Sequence, residues 1–316
     1  MIRLPSRTAG LLAIMMSTLS CARGAMTVGS TPAAGAPSGA AQQPTRQYPG
    51  YELVWADEFT GTGAPDPKNW TFERGFVRNL ESQWYRPDNA RQADGFLILE
   101  ARRERVVNPR FHRASSDWTR NRQFAEYTSA SLTTRGSHSW QYGRFEMRGR
   151  IDTREGLWPA FWTLGVKRPW PHNGEIDILE YYRGLLLANV AWGGPERFEP
   201  IWADSRRPID TFNQPAWSSA FHIWRMDWDE RAIVLSVDGE GLNQVDLTRT
   251  VNQDAERANP FHQPHCLLLS LAIGGTQGGD PSKTTFPARF EIDYVRVYQR
   301  SGTSAPRPDT IFRTPS

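Results

Sequence analysis

Three carboxylates, Glu175, Asp177 and Glu180, fall within six positions in the stretch NGEIDILEYY (173–182). Like charges that close together repel, yet Ile176, Ile178 and Leu179 between them are typical of a buried strand. Side chains of a strand alternate faces, so Glu175 and Asp177 share one face with Ile176 and Ile178 behind them. Strict alternation then turns Glu180 to the apolar face and Leu179 to the acidic one. One extra residue, a β-bulge, corrects both and returns Glu180 to the side of the other acids. The Cα atoms of Glu175 and Glu180 are then roughly 13 Å apart. Side chains leaning inward can bring the carboxyls to about 5–5.5 Å, the spacing that retaining cleavage of a glycosidic bond requires of its nucleophile and its acid/base. Asp177 lies between them. The same acids also suit a solvated strand end, or a calcium site built of clustered oxygens. Neither accounts for acids set among apolar residues with the alternation broken.

The elements that must position these acids read as strands. In YGRFEMRGRI (142–151), Phe145, Met147 and Ile151 take one face, and Arg144, Glu146, Arg148 and Arg150 the other. RAIVLSVDGEGLNQVDL (231–247) alternates, turns at Asp238-Gly239 and alternates again. FEIDYVRVYQ (290–299) has the pattern of a closing strand. No long apolar stripe of helical period and no internal repeat stands out, and Pro and Gly recur throughout. The expected class is all-β: a two-sheet antiparallel β-sandwich with one polar sheet face left as a groove.

Composition divides the 316 residues. Residues 1–25 have the form of an export signal. Arg3 and Arg7 precede an apolar run from Ala9 to Met16, followed by small residues. Cys21 after Leu19-Ser20 matches a bacterial lipoprotein cleavage site except at Thr18, where Leu is usual. Cleavage after Ala22 or Gly24 is the competing expectation. The protein is expected to leave the cytoplasm, either secreted, periplasmic or held at a membrane through lipidated Cys21. Residues 26–49 are poor in large apolar side chains and read as a flexible linker. Residues 300–316 read as a disordered tail. One unit of about 250 residues remains, at 50–299, a normal size for one large β-sandwich. Cys266 is the only other cysteine, set in the apolar run CLLLSLAI, and reads as a core thiol.

A net charge of +3 demands no nucleic acid, and no apolar run is long enough to span a bilayer. Seven arginines between Arg102 and Arg122 face only Glu104 and Asp117. They read as a solvated loop, or alternatively as a site for an anionic polymer, sulfate or lipid headgroups. All 13 tryptophans lie between Trp55 and Trp228, as core filling or as flat platforms for sugar rings. His262 and His265 suggest a metal pair that nothing else completes.

GEIDILEYY resembles the catalytic signature of family 16 glycoside hydrolases, in the bulged form of laminarinases and agarases. LVWADEF (53–59), NLESQWY (79–85), YTSASLTTRG (127–136), YGRFEMR (142–148), GLWPAFWTLG (156–165), the VDG at 237–239 and DYVRVYQ (293–299) are similar to family landmarks, in family order, over residues 50–299. The resemblance implies a jelly roll with a concave sheet, retaining endo-cleavage of a β-linked polysaccharide, and no organic cofactor. It implies Glu175 as nucleophile, Glu180 as acid/base and Asp177 as the residue tuning the pair. Trp158, Trp162 and Asn79 match positions that contact substrate. Trp192 is expected to stack on leaving-side sugars or to pack at the cleft edge. Asp293 matches a ligand of a structural calcium in some relatives, or is a capping or salt-bridge acid. The expected substrate is β-1,3- or β-1,3-1,4-glucan. A galactan of the agarase, porphyranase or carrageenase type is the alternative, and a non-catalytic glycan binder a weaker one, since such binders lack the acids present here. A monomer is expected. AIGGTQGGDP (272–281) departs from the Trp-containing loop of laminarinases, and Ser131 stands where many relatives have Arg.

Overall fold

The computed structural model describes residues 43–212 and 217–302. Residues 1–25, read above as an export signal, and Cys21 lie outside the described residues, as do most of the expected linker and the residues from 303 onward. Two eight-stranded antiparallel sheets form the domain. The first runs Glu240–Asp246, Ala232–Val237, His222–Trp228, Gly143–Arg150, Ala288–Arg300, Phe96–Ala101 and Ala90–Ala93, with Tyr51–Asp57 also on Ala288–Arg300. The second runs Pro200–Ala203, Leu185–Gly193, Glu175–Tyr182, Leu157–Gly165, His265–Ile273, Ser131–Thr133 and Thr71–Phe72, with Arg206–Pro208 also on Leu185–Gly193. The all-β sandwich is therefore as expected.

Alternation builds the core between the sheets. Phe145, Met147, Leu235, Phe290 and Val295 from the first sheet meet Leu157, Phe161, Ile176, Val190 and Leu269 from the second. Each such fully buried side chain contributes about 1.5–3 kcal/mol. At 238–239 the hairpin turns through two left-handed residues, Asp238 (φ 50°) and Gly239 (φ 85°), as a tight two-residue turn requires.

The outer face of the first sheet is laced by cross-strand ion pairs: Arg144 with Asp227, Arg225 with Glu146, Arg148 with Asp293 and Arg150 with Glu291. Asp293 takes part in this lacing: its carboxylate accepts from Arg148 Nη1 at 2.6 Å, as in the salt-bridge alternative. The linker boundary is corrected. Arg296 donates to the carbonyls of Gln43 (2.7 Å) and Pro44 (3.3 Å), and Tyr48 donates to Glu146 at 2.6 Å. Arg296 and Glu146 are buried charges that need partners, and residues 43–48 supply some of them.

The arginine-rich excursion pairs Val106–Val107 antiparallel with Phe124–Ala125, and the strand Tyr127–Ser129, parallel to Gln83–Tyr85, leads from it to Ser131–Thr133 of the second sheet. Arg122 donates to the carbonyls of Leu80 (3.0 Å) and Glu81 (2.7 Å) and stacks on Phe76 and Trp118. The excursion thus braces the loop carrying Arg78 and Asn79.

Candidate active site

The strand Glu175–Tyr182 carries the expected bulge. Its partner on one side pairs Asp177 with Asn189 and Glu180 with Leu187, so two residues, Ile178 and Leu179, stand opposite the single Ala188. On the other side Asp177 pairs with Trp162 and Leu179 with Phe161, skipping Ile178. Ile176, Ile178, Leu179 and Tyr181 all enter the core. Glu175 and Glu180 turn to the opposite face and line one cavity of about 740 Å³. Asp177, between them on the same ladder, is only 4% exposed.

Neighbouring strands supply the walls. On Leu157–Gly165, every second residue faces the acids, and both Trp158 and Trp162 line the cavity. Trp158 Nε1 donates to Glu180 Oε1 at 2.8 Å. Trp162 Nε1 is held by Ser270 Oγ at 3.2 Å, which fixes its ring. Asn79 lines the same cavity in a left-handed conformation (φ 55°). The loop after Ile273 fits against it: Thr276 N–H donates to Asn79 O at 2.8 Å, and a Cβ on Gly275 would lie 2.7 Å from that oxygen. Only glycine fits so close an approach. Thr276 and Gln277 then close this end of the cleft with polar side chains.

Trp192 is a correction. On Leu185–Gly193 it is Leu187 and Asn189 that line the cavity, and Trp192, three residues beyond Asn189, falls on the other face. It is 8% exposed and packs in the core. Further cleft residues were missed from the sequence. Trp170 Nε1 donates to Glu175 Oε2 at 2.5 Å from the preceding loop. Asn189 Nδ2 donates to Glu180 Oε2 at 3.1 Å, while its Oδ1 accepts Ser205 N–H at 3.2 Å. The Ser205 bond sets which end of the amide reaches the acid. Trp202 is 42% exposed along the cavity wall, and Arg78, Tyr182, Asp204 and Arg206 complete it.

The acids do not titrate alike. Burial pushes the Glu180 carboxyl up to about 7, with the charge of Glu175 adding to the rise and donors Trp158 and Asn189 opposing it. Burial also raises Glu175, but hydrogen bonds from Trp170 and Asp177 and the charge of Arg78 hold it down. Asp177 is pushed well above the carboxylate range by burial, then by the charges of Glu175 and Glu180. Burial thus favours the proton on all three, with Asp177 placed to donate to Glu175 and Glu180 poised near neutrality. Among the described residues no three His, Cys, Asp or Glu side chains form a metal donor set.

The comparisons with known proteins agree with this geometry. Residues 97–296 match the model of glycosyl hydrolases family 16. The chain is 36% identical over 268 residues to a beta-glucanase of Rhodothermus marinus, covering 79% of this chain and 86% of that one. The laminarinase catalytic domain of Thermotoga maritima superposes with a TM-score of 0.66 at 32% identity, over 80% of this chain and 99% of that one. A chain solved in work on endo-acting O-glycanases, expressed by human gut microbiota to initiate mucin breakdown, superposes with a TM-score of 0.74 at 36% identity. That match covers 81% of this chain and 94% of that one. With its bulged acid strand at the floor of a tryptophan-walled cleft, the chain belongs to glycosyl hydrolases family 16.

Proposed function

We propose that this protein is a retaining endo-hydrolase of β-linked glucan, acting on β-1,3- or mixed β-1,3-1,4-linked chains. The observation that carries the reading is the bulge, which delivers Glu175 and Glu180 to one cleft face, with the Glu180 carboxyl pushed up to about 7. Glu175 attacks the anomeric carbon while Glu180 gives its proton to the departing glycosidic oxygen. The ester removes the charge on Glu175, and Glu180, now a stronger acid, stays ionised and can take a proton from the attacking water. Water adds at the anomeric carbon and Glu175 leaves as carboxylate. Likeness to a beta-glucanase and a laminarinase supports glucan as the substrate. Incubation with a panel of purified polysaccharides tests it. Laminarin or mixed-linkage glucan should yield oligosaccharides of mixed length. Activity confined to agar or porphyran would sink the reading and favour a galactan. That second reading draws on the loop 272–281, which brings Thr276 and Gln277 to the cleft and carries no aromatic residue of its own, and on the likeness to the structure from the O-glycanase work.

Glycosyl transfer needs Glu180 protonated, so kcat/KM should fall as pH rises through about 7. Trp158→Phe keeps an aromatic ring but removes the donor to Glu180. The carboxylate is then less stabilised, Glu180 holds its proton longer, and the alkaline limb should move to higher pH. Loss of a charge-assisted hydrogen bond predicts a fall in kcat/KM of about 10-fold or more. An unchanged alkaline limb in this variant would show that the contact does not tune the acid.

A further inference from the structure

We infer that Arg78 is a positioning residue of this reaction, a fixed cation clamped between Glu73 and the face of Trp162 that, beside the hydrogen bonds from Trp170 and Asp177, supports Glu175 as the nucleophilic carboxylate. The inference rests on the reading of Glu175 as nucleophile.

Three buried carboxyls on one strand pose a selection problem. Burial alone favours the proton on each of them, yet retaining cleavage needs the anion at Glu175. Groups outside the strand break the symmetry: Trp170 donates to Glu175 from the preceding loop, and a fixed positive charge adds to it. The charged groups facing Glu175 are Asp177 and Glu180 on its own strand, Asp204 and Arg206 on the far wall, and Arg78 on the rim loop, with Glu73 and Glu81 behind it. Every other cavity-lining side chain is uncharged. Arg206 is 62% exposed and paired with Asp204 at 3.1 Å, so solvent screens it.

Arg78 is held differently. Its guanidinium pairs with Glu73 through Nη2 and lies 5.0 Å from the centroid of Trp162, the residue paired with Asp177 in the ladder. The second oxygen of Glu73 accepts Ser131 Oγ at 2.6 Å, and Glu73 N–H donates to Ser131 O at 3.0 Å. Glu73 is thereby fixed to the strand Ser131–Thr133 of the cleft sheet. From outside, Arg122 holds the carbonyls of Leu80 and Glu81 in the same rim loop. The charge of Arg78 opposes protonation of Glu175, while Arg206 acts on Glu180. A guanidinium stacked on an aromatic face and paired behind is a rigid donor of positive potential.

The test follows Glu175 directly, by 13C NMR titration of protein labelled at the glutamate carboxyl carbons. The Glu175 signal is assigned by its loss in Glu175→Gln. In Arg78→Met the Glu175 titration should move to higher pH, and in Arg78→Lys it should stay near the wild-type position. In Glu73→Gln the partner's negative charge is gone while the cation remains, so the titration should move to lower pH. On laminarin the acidic limb of kcat/KM should shift in the same directions. Arg78→Met should lower kcat/KM about 10- to 100-fold, and Arg78→Lys should recover the limb but not the KM, because an ammonium does not stack on Trp162 as a guanidinium does. Glu73→Gln decides alone if Arg78→Met does not fold. A Glu175 titration that is the same in wild type and Glu73→Gln, or in wild type and a folded Arg78→Met, overturns the inference. If the titrations move as stated but laminarin is not cleaved, the glucan reading fails and the role of Arg78 stands.

Discussion

Glu175→Gly is expected to lose turnover of polysaccharide by on the order of 10⁴-fold or more, and added azide is expected to restore cleavage of a substrate with a good leaving group as the α-glycosyl azide. The space left by the side chain admits the anion to the face from which Glu175 attacks, so one displacement inverts the β bond. Glu180→Gly should behave in the opposite way. An activated leaving group needs little protonation, so the glycosyl ester on Glu175 forms and then waits for a base that is gone. Azide needs no base. It displaces Glu175 from the other face, and two inversions return the β product. The contrast depends on the bulge, because Ile178 and Leu179 together occupy what regular pairing gives to one residue. Without it Glu180 would enter the core. The anomer of each azide product, read by NMR, decides the matter. The same anomer from both variants, or a Glu180→Gly enzyme fully active on natural polysaccharide, would remove both assignments.

The bulge was legible in the sequence because two patterns conflicted there. Alternation demanded that Glu180 be buried, and the cost of burying an unpaired carboxylate made that untenable. Trp158 and Trp162 followed from the resemblance, and their even spacing on one strand keeps them on the acid face. Trp192 failed by the same arithmetic, since it stands three positions, an odd step, from cleft-facing Asn189. Asn189 itself left a signal that went unused: it is the one amide in the apolar run LLLANVAW, and it is nearly fully buried. A buried amide needs partners, and its partners are Glu180 and Ser205. Trp170 and Trp202 were not legible. One comes from a loop and the other from a four-residue edge strand, so neither belongs to a periodic segment long enough to assign a face. Arg78 meets Trp162 across 84 positions of chain, a contact set by the packing of the rim loop rather than by any local pattern. Residues 43–48 looked like linker by composition. Their attachment comes from Arg296 and Glu146 on the first sheet, which a reading of the segment alone could not supply.

Asp177 gives the second large effect, and its two substitutions should differ in kind. The side chain is almost fully buried, held well above the carboxylate range first by burial and then by its acidic neighbours, and it hydrogen-bonds Glu175. A protonated Asp177 acts as a donor that keeps Glu175 ionised. Asp177→Asn has nearly the same shape and can present an N–H to Glu175. Asp177→Ala removes the donor and opens a void. Losing a hydrogen bond to a charged group costs about 1.5–3 kcal/mol, so Asp177→Ala should lower kcat/KM about 10- to 100-fold from this contact alone, with the void adding to the loss. The sign of the pH effect follows from the donor. Without it Glu175 holds its proton to higher pH, so the acidic limb of kcat/KM should move up in Asp177→Ala and stay close to the wild-type position in Asp177→Asn. The check is a pair of pH profiles on one soluble glucan. If Asp177→Asn shifts the limb as far as Asp177→Ala, or is as inactive as Glu175→Gly, then Asp177 works as an anion and the shared proton is wrong.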